Sequence, residues 1–371
     1  MKYYLIAGEA SGDLHGANLI RGLKKADAHP EVRAWGGDLM EAQGAVVVKH
    51  YRELAFMGFV EVVQNLRTIL RNLKQCKSDI LQFQPDALVL IDYPGFNLRI
   101  AKWAKKQGLK VVYYISPQIW AWHSSRVHGI KASVDLMFVI LPFEQEFYAR
   151  YDYPVVFTGH PLLDLIPGDA PAVDIRAIYP LDERPLIALL PGSRRQEINK
   201  MLPLFLQIAP TFPQYQFVIA AAPAIPEAFY RRIMATYQCT LPLLHGQTYP
   251  LLAHAHAALV SSGTATLETA LFKVPQVVCY TASRLSYLIA RRLANVAYIS
   301  LPNLILNRPL LRELIQDDFN LAELERSLHH ILMGDNRNQI LQGYDELAAK
   351  LGTPGAAERA AGHLFSYLAK G

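Results

Sequence analysis

Residues 3–16 read Tyr3-Tyr4-Leu5-Ile6-Ala7-Gly8-Glu9-Ala10-Ser11-Gly12-Asp13-Leu14-His15-Gly16, and their order decides the fold. An apolar run over 3–7 ends in a small-residue turn, and an amphipathic helix follows through 17–25. Strand, glycine turn and helix in that order open a parallel sheet covered on both faces. Working outward, the same order recurs. Strands are predicted at 32–35, 87–91, 110–115 and 136–139, with the clearest helices at 62–75 and 98–106. Between 152 and 185 the texture changes, with Pro154, Pro161, Pro167, Pro171, Pro180 and Pro185 breaking the chain. That stretch reads as a crossing between domains, with a short helix near 173–178. The alternation then restarts with a strand at 186–190, a turn at 191–195 and a helix at 196–208. Further strands are predicted at 216–220, 240–244, 257–260 and 276–280, and after Asn303 the chain reads as helical to the end, at 321–332, 338–351 and 356–368.

The fold class is therefore α/β, with two Rossmann-like doubly wound domains facing a cleft and C-terminal helices. The expected division is an N-terminal domain over 1–160, a crossing over 161–185 and a second domain over 186–315. Helices over 316–371 are expected to pack back on the N-terminal domain or on a partner subunit. Ligands in such sheets bind beyond the carboxyl ends of the strands, so the strand-to-helix turns are where chemistry is sought.

Bulk composition agrees with this division and excludes other classes. A chain of 371 residues exceeds one ordinary core, at roughly 150 residues per domain. No apolar run approaches the roughly 20 residues that cross a bilayer, and the first residues lack the long apolar region of a signal peptide. Cys76, Cys239 and Cys279 are far apart and odd in number, which fits a reducing cytoplasm better than a disulfide framework or zinc site. Scattered histidines such as His254, His256, His329 and His330 lack ligand companions, so no metal is expected. The net charge of +5 suits an anionic substrate or lipid surface. No aromatics interleave the basic residues, so nucleic acid is not an expected partner.

Four turns and one helix carry candidate chemistry. In the first turn, Glu9 and Ser11 stand at a strand's carboxyl end among glycines that allow close approach of a ligand. The alternative is a tight turn with Ser11 or Asp13 as helix cap. In Leu88-Val89-Leu90-Ile91-Asp92-Tyr93-Pro94-Gly95-Phe96-Asn97, a buried strand delivers Asp92 to its end, where a carboxylate can act as general base or cap the next helix. In Pro191-Gly192-Ser193-Arg194-Arg195, Gly192, Ser193 and Arg194 suit a phosphate, and the spacing is not that of an ATP-hydrolysing loop. Ser262, Gly263, Thr264 and Ala265 open another helix and make a second diphosphate cradle, with Glu268 one turn further, either facing a ribose or serving as a first-turn acid. Asn303 is less readable and can be an ordinary turn residue. The helical stretch after Leu54 combines Phe56, Met57, Phe59, Val60, Val63, Leu66, Ile69, Leu70 and Leu73 with Arg67, Arg71, Lys74 and Lys77. Apolar side chains beside cations describe an interfacial helix, and also an ordinary helix covering a sheet.

Taken together and in order, these motifs resemble one family. They include Ala7–Asp13, Leu54-Ala55-Phe56-Met57-Gly58, Ile91–Asn97, Ser116-Pro117-Gln118-Ile119-Trp120-Ala121-Trp122, Leu190–Arg194, Ser262–Ala265 and Ser300-Leu301-Pro302-Asn303-Leu304. The sequence is similar to lipid-A-disaccharide synthases from residue 3 to about 315. The resemblance implies a GT-B fold and an inverting transfer of 2,3-diacylglucosamine from UDP to the 6-hydroxyl of 2,3-diacylglucosamine 1-phosphate (lipid X), with no cofactor. It implies that Asp92 is the base, that Glu9 and Ser11 shape the catalytic centre, and that Gly192, Ser193 and Arg194 grip the diphosphate. Ser262–Ala265 would continue that cradle, Glu268 would hold ribose, and Asn303 would complete the donor site. The helix after Phe56 would rest on the inner face of the cytoplasmic membrane, giving a cytoplasmic, peripherally bound enzyme, and a homodimer is a further expectation from the family. Two departures stand out. Gly95 replaces a second acid common in the family, leaving Asp92 to act alone, and His123-Ser124-Ser125-Arg126 replaces a more basic run. Rival readings are a GT-B transferase or 2-epimerase with a soluble substrate, and a non-catalytic nucleotide-sugar-binding protein.

Overall fold

The computed structural model describes residues 1–54, 66–122, 124–166, 174–283, 287, 292 and 296–370. The chain divides into two compact units, Met1–Asp164 with Leu351–Gly371, and Leu165–Lys350. The first is built on seven strands: β1 (Lys2–Ala7), β2 (Glu31–Gly36), β3 (Val46–His50), β4 (Ala87–Ile91), β5 (Val111–Tyr114), β6 (Leu136–Val139) and β7 (Val156–Phe157). They form one sheet in the order β3-β2-β1-β4-β5-β6-β7, and every pair is parallel. Because both faces are covered, β1 and β4 are apolar along nearly their whole length rather than alternating.

Helix α1 (Ala10–Ala26) begins well before the predicted residue 17. The glycines that masked its start are there for packing. A Cβ on Gly16 would stand 1.8 Å from Met40 Cε, and one on Gly22 would stand 2.9 Å from Ala361 Cβ. Gly22 marks where the C-terminal helix (Ala356–Ala369) lies along α1, with Ala360, Ala361 and Leu364 fully buried in the same cluster as Leu19 and Leu23. Asp13 does not cap α1. Its buried carboxylate instead accepts the amides of Gly37, Leu39 and Met40 at 2.8, 3.1 and 3.1 Å, fixing the entry to α2 (Asp38–Ala42).

Helix α3 (Leu66–Phe83) covers the other face. Leu73, Cys76 and Ile80 are buried there with Ile69 packed beside them. Leu70 does not share that face: it is 56% exposed, between exposed Arg67, Arg71 and Lys74. Ile69, Leu73, Cys76 and Ile80 follow one stripe at i+4 and i+3 spacing onto the sheet, whereas Leu70 falls with Arg67, Arg71 and Lys74 on the neighbouring stripe. Phe56, Met57, Phe59, Val60 and Val63 lie outside the described residues, as does the side chain of Leu66.

The second unit carries β8 (Leu186–Leu190), β9 (Gln216–Ala221), β10 (Leu243–His245), β11 (Ala255–Ser261), β12 (Gln276–Tyr280) and β13 (Glu313–Ile315), all parallel, in the order β10-β9-β8-β11-β12-β13. Helices Leu321–Leu332 and Gly334–Leu351 fall within this unit, so the C-terminal helices are shared between the two. The stretch after Asn303 is not wholly helical, because β13 pairs with β12 there.

In each sheet the first strand of the unit sits beside the fourth, and the chain runs outward from that pair in opposite directions. The switch points are β1/β4 and β8/β11, where such sheets leave a crevice at the strands' carboxyl ends. The register pairs Ala7 with Ile91 and Leu190 with Val260, so the turns after these strands emerge side by side. One residue braces the first switch point. Buried Asn97 donates to the carbonyls of Asp92 (2.8 Å), Ile91 (3.2 Å) and Ile6 (3.4 Å), joining β1 to β4. Asn97→Ala is expected to lower unfolding free energy by about 2 kcal/mol, read by urea denaturation, because it leaves buried carbonyls unpaired.

Candidate active site

At β1/β4, Glu9 and Asp92 come together. Asp92 and Tyr93 both adopt left-handed backbone, with φ of +43° and +47°. Two such residues in a row each cost of order 1 kcal/mol, and the surroundings must enforce them. The Tyr113 hydroxyl donates to the Asp92 carbonyl at 2.5 Å, and the Asp92 amide donates to the Tyr114 carbonyl at 3.2 Å. The Tyr93 ring stacks on Phe96, which stacks on Trp35. Gly8 makes room for that ring, since a Cβ there would fall 2.4 Å from Tyr93 Cγ.

The strained turn presents the Asp92 carboxyl to solvent while protein crowds it. That desolvation, and then the charge of Glu9, push it up to about 6. The turn thus holds a carboxylate that ionises just below neutrality and takes up a proton readily. Ser11 is exposed in the first turn of α1, two residues past Glu9. Gly95 has open space where a side chain would project, so the second acid of the family would fit sterically.

At β8/β11 a hollow of about 420 Å³ is lined by Gly192, Ser193, Arg194, Glu197, Ser262, Gly263, Thr264, Ala265 and Glu268, with Thr248 at its side. Arg194 is the N-cap of α4 (Arg195–Ile208), and Gly263 the N-cap of α5 (Thr264–Leu271), so two helix N-termini face one space. Gly192 and Gly263 have φ of +114° and +150°, conformations that glycine supplies at little steric cost. The two arginines divide their work. Arg195 lies over the Phe229 ring at 4.9 Å, whereas Arg194 stands largely in solvent, its guanidinium 3.1 Å from Glu197. Burial pushes the Glu268 carboxyl up, and the Tyr249 hydroxyl donates to it at 3.0 Å.

The predicted residues Gly192 to Arg194 and Ser262 to Glu268 are thus gathered in one place. Ser262 has its hydroxyl turned to the Ile299 carbonyl and its amide to the Cys279 carbonyl, so both of its donors serve the protein. Asn303 does not line that hollow. It is fully buried, donating to the Leu311 carbonyl and Glu313 and accepting from the Leu311 amide, and it holds β13 in place. It borders a larger hollow of about 730 Å³ among Arg308, Arg312, Arg326 and His330. There Arg308 is paired with Glu346, and Arg312 and Arg326 with Glu323. Sequence reasoning missed Tyr249 and Glu197. An acid three residues after the N-cap was a legible signal for Glu197, whereas Tyr249 reaches Glu268 only through the fold. Among the described residues no cluster of three or more His, Cys, Asp or Glu is placed to hold a metal.

Two doubly wound sheets, one with a carboxylate at its switch point and one with a double helix-terminus cradle, define a nucleotide-sugar enzyme of GT-B type. The fold matches an S. aureus MnaA–UDP structure (TM-score 0.67, 14% identity, 99% and 97% of the two chains). It also matches the calicheamicin glycosyltransferase CalG4 (TM-score 0.61, 18% identity, 99% and 98%). In sequence, the family model for lipid-A-disaccharide synthetase matches residues 3–361. The lipid-A-disaccharide synthase of Pseudomonas putida is 41% identical over 349 residues, 92% of each chain. The chain belongs to the lipid-A-disaccharide synthase family, and is a UDP-sugar-dependent glycosyltransferase of lipid A biosynthesis.

Proposed function

We propose that the enzyme transfers 2,3-diacylglucosamine from UDP to the 6-hydroxyl of 2,3-diacylglucosamine 1-phosphate, with inversion. The observation that supports this most is Asp92, a crowded carboxylate held up near 6 on a strained turn. As the acceptor oxygen bonds to the anomeric carbon, its proton passes to Asp92, and the anomeric bond to the diphosphate oxygen breaks. Glu9 keeps the Asp92 carboxyl basic through its charge, and Ser11 shapes the acceptor side. Departing UDP carries the developing negative charge, which Arg194 and the amides of Ser193, Thr264 and Ala265 are placed to take. Glu268, oriented by Tyr249, accepts ribose hydroxyls.

The test is transfer from UDP-2,3-diacylglucosamine to lipid X in detergent micelles, with disaccharide 1-phosphate and UDP as products. UDP binding without disaccharide would defeat the substrate assignment and favour a soluble acceptor.

The lipid substrates place the enzyme at the inner face of the cytoplasmic membrane. No helix among the described residues is long and apolar enough to cross one. The exposed Arg67, Leu70, Arg71 and Lys74 of α3 give a face suited to lying on anionic lipid. Replacing Arg67 and Arg71 together by Gln is expected to weaken sedimentation with phosphatidylglycerol vesicles by about thirtyfold, at roughly 1 kcal/mol per cation. A homodimer remains part of this reading on family grounds.

A further inference from the structure

Two of the groups assigned to the donor diphosphate, the Ser193 amide and the Arg194 guanidinium, are already engaged. Glu197, one turn into α4, lays its carboxylate across the Pro191–Arg194 turn. Its Oε2 accepts the Ser193 amide at 2.9 Å and the Arg194 amide at 3.2 Å, and its Oε1 accepts the Arg194 guanidinium at 3.1 Å. A Cβ on Gly192 would lie 2.6 Å from Oε2, so the bare glycine is what lets the carboxylate settle there. An ordinary capping acid at this position satisfies the N-cap amide. Glu197 takes that amide, the one before it, and the cation, which together are the contacts an anionic oxygen would make at this turn. The same residue lines the 420 Å³ hollow with Gly263, Thr264 and Glu268.

We propose that Glu197 is a built-in stand-in for the donor diphosphate. Its carboxylate holds the cradle in shape when the site is empty and is displaced when a nucleotide diphosphate enters. The proposal rests on the donor-site reading above and deepens it. Two amides and one guanidinium cannot serve two anions at once, and a carboxylate beside a diphosphate repels it. Each arriving nucleotide therefore exchanges one anion for another instead of filling a vacant site. Affinity is held down while the donors stay aligned, and the returning carboxylate helps to expel UDP after transfer.

The experiment is UDP titration by calorimetry on wild type, Glu197→Gln, Glu197→Ala and Arg194→Ala, with thermal melts confirming that each is folded. Neutral glutamine keeps the shape and removes the competing charge, so Glu197→Gln is expected to bind UDP about tenfold more tightly, and Glu197→Ala also more tightly than wild type. Unchanged or weaker UDP binding in folded Glu197→Gln would overturn the proposal and leave Glu197 as a cap that orients Arg194. Should neither variant fold, a UDP complex of wild type decides the matter. A carboxylate moved out of bonding distance of the Ser193 amide supports the exchange, and one still bonded there ends it. Arg194→Ala separates the two levels. If it leaves UDP affinity untouched, the donor-site reading has failed; if it weakens UDP while Glu197→Gln does not tighten it, only the exchange has failed.

Discussion

Asp92→Asn is expected to cut disaccharide formation about 10³-fold while UDP still binds with wild-type affinity. The amide keeps the shape of the carboxyl, so the braces from Tyr113 and Asn97, which reach the Asp92 main chain, stay in place. What disappears is the capacity to take a proton from the attacking hydroxyl. Because crowding and Glu9 raise the Asp92 carboxyl to about 6, wild-type turnover should fall as pH drops through that value and level off above it. The stability consequence has the opposite sense. The folded value lies above the ordinary carboxylate value near 4, so the native state binds this proton more tightly than the unfolded chain does. Stability from that proton is full below about 4 and is lost as pH rises through 6. At pH 7.5 Asp92→Asn should therefore melt no lower than wild type, although it has lost activity. A variant that loses activity together with melting temperature would instead point to a structural role for Asp92.

Arg194→Ala is expected to lower kcat/KM about 10²–10³-fold and to weaken UDP binding, with little change in melting temperature. The guanidinium is 72% exposed, and its pairing with Glu197 is of the exposed kind that adds little to stability. Its worth arises when a diphosphate brings charge into the cradle and that charge grows as the glycosidic bond breaks. The matched control is Arg195→Ala. Arg195 packs over Phe229, so its loss should leave UDP binding close to wild type. If the effects of the two substitutions were reversed, the phosphate contact would belong to the second arginine, and the turn would have to be rearranged in the complex.

Much of this architecture was legible in the sequence because buried parallel strands advertise themselves. β4, β6, β8 and β12 run where their apolar segments predict, since each is covered on both faces. The strands that escaped notice are β3, β7 and β13. All three lie at or near sheet edges, and β7 and β13 have two and three residues, too few for any period to appear. Their pairing is decided by the neighbouring strand. Site residues followed the same logic. Those on turns after long strands, Glu9, Asp92, Gly192 and Gly263, could be placed because the strand fixes the turn. Asn303 was less readable, because an asparagine has the same composition whether it faces a ligand or holds two backbone groups together. Asp13 shows the same ambiguity, resolved toward packing by three amides from another segment.

The return of the C-terminal helix to α1 sets a timetable for the nascent chain. The ribosome releases β1 and α1 first, yet the surface of α1 at Gly22 is closed by Ala357 and Ala361, made after the whole second unit. The first unit must wait, with an apolar helix face uncovered, while the second is synthesised and free to fold. That exposed interval is where assistance by chaperones would matter most, and a chain cut short before residue 356 would never leave it.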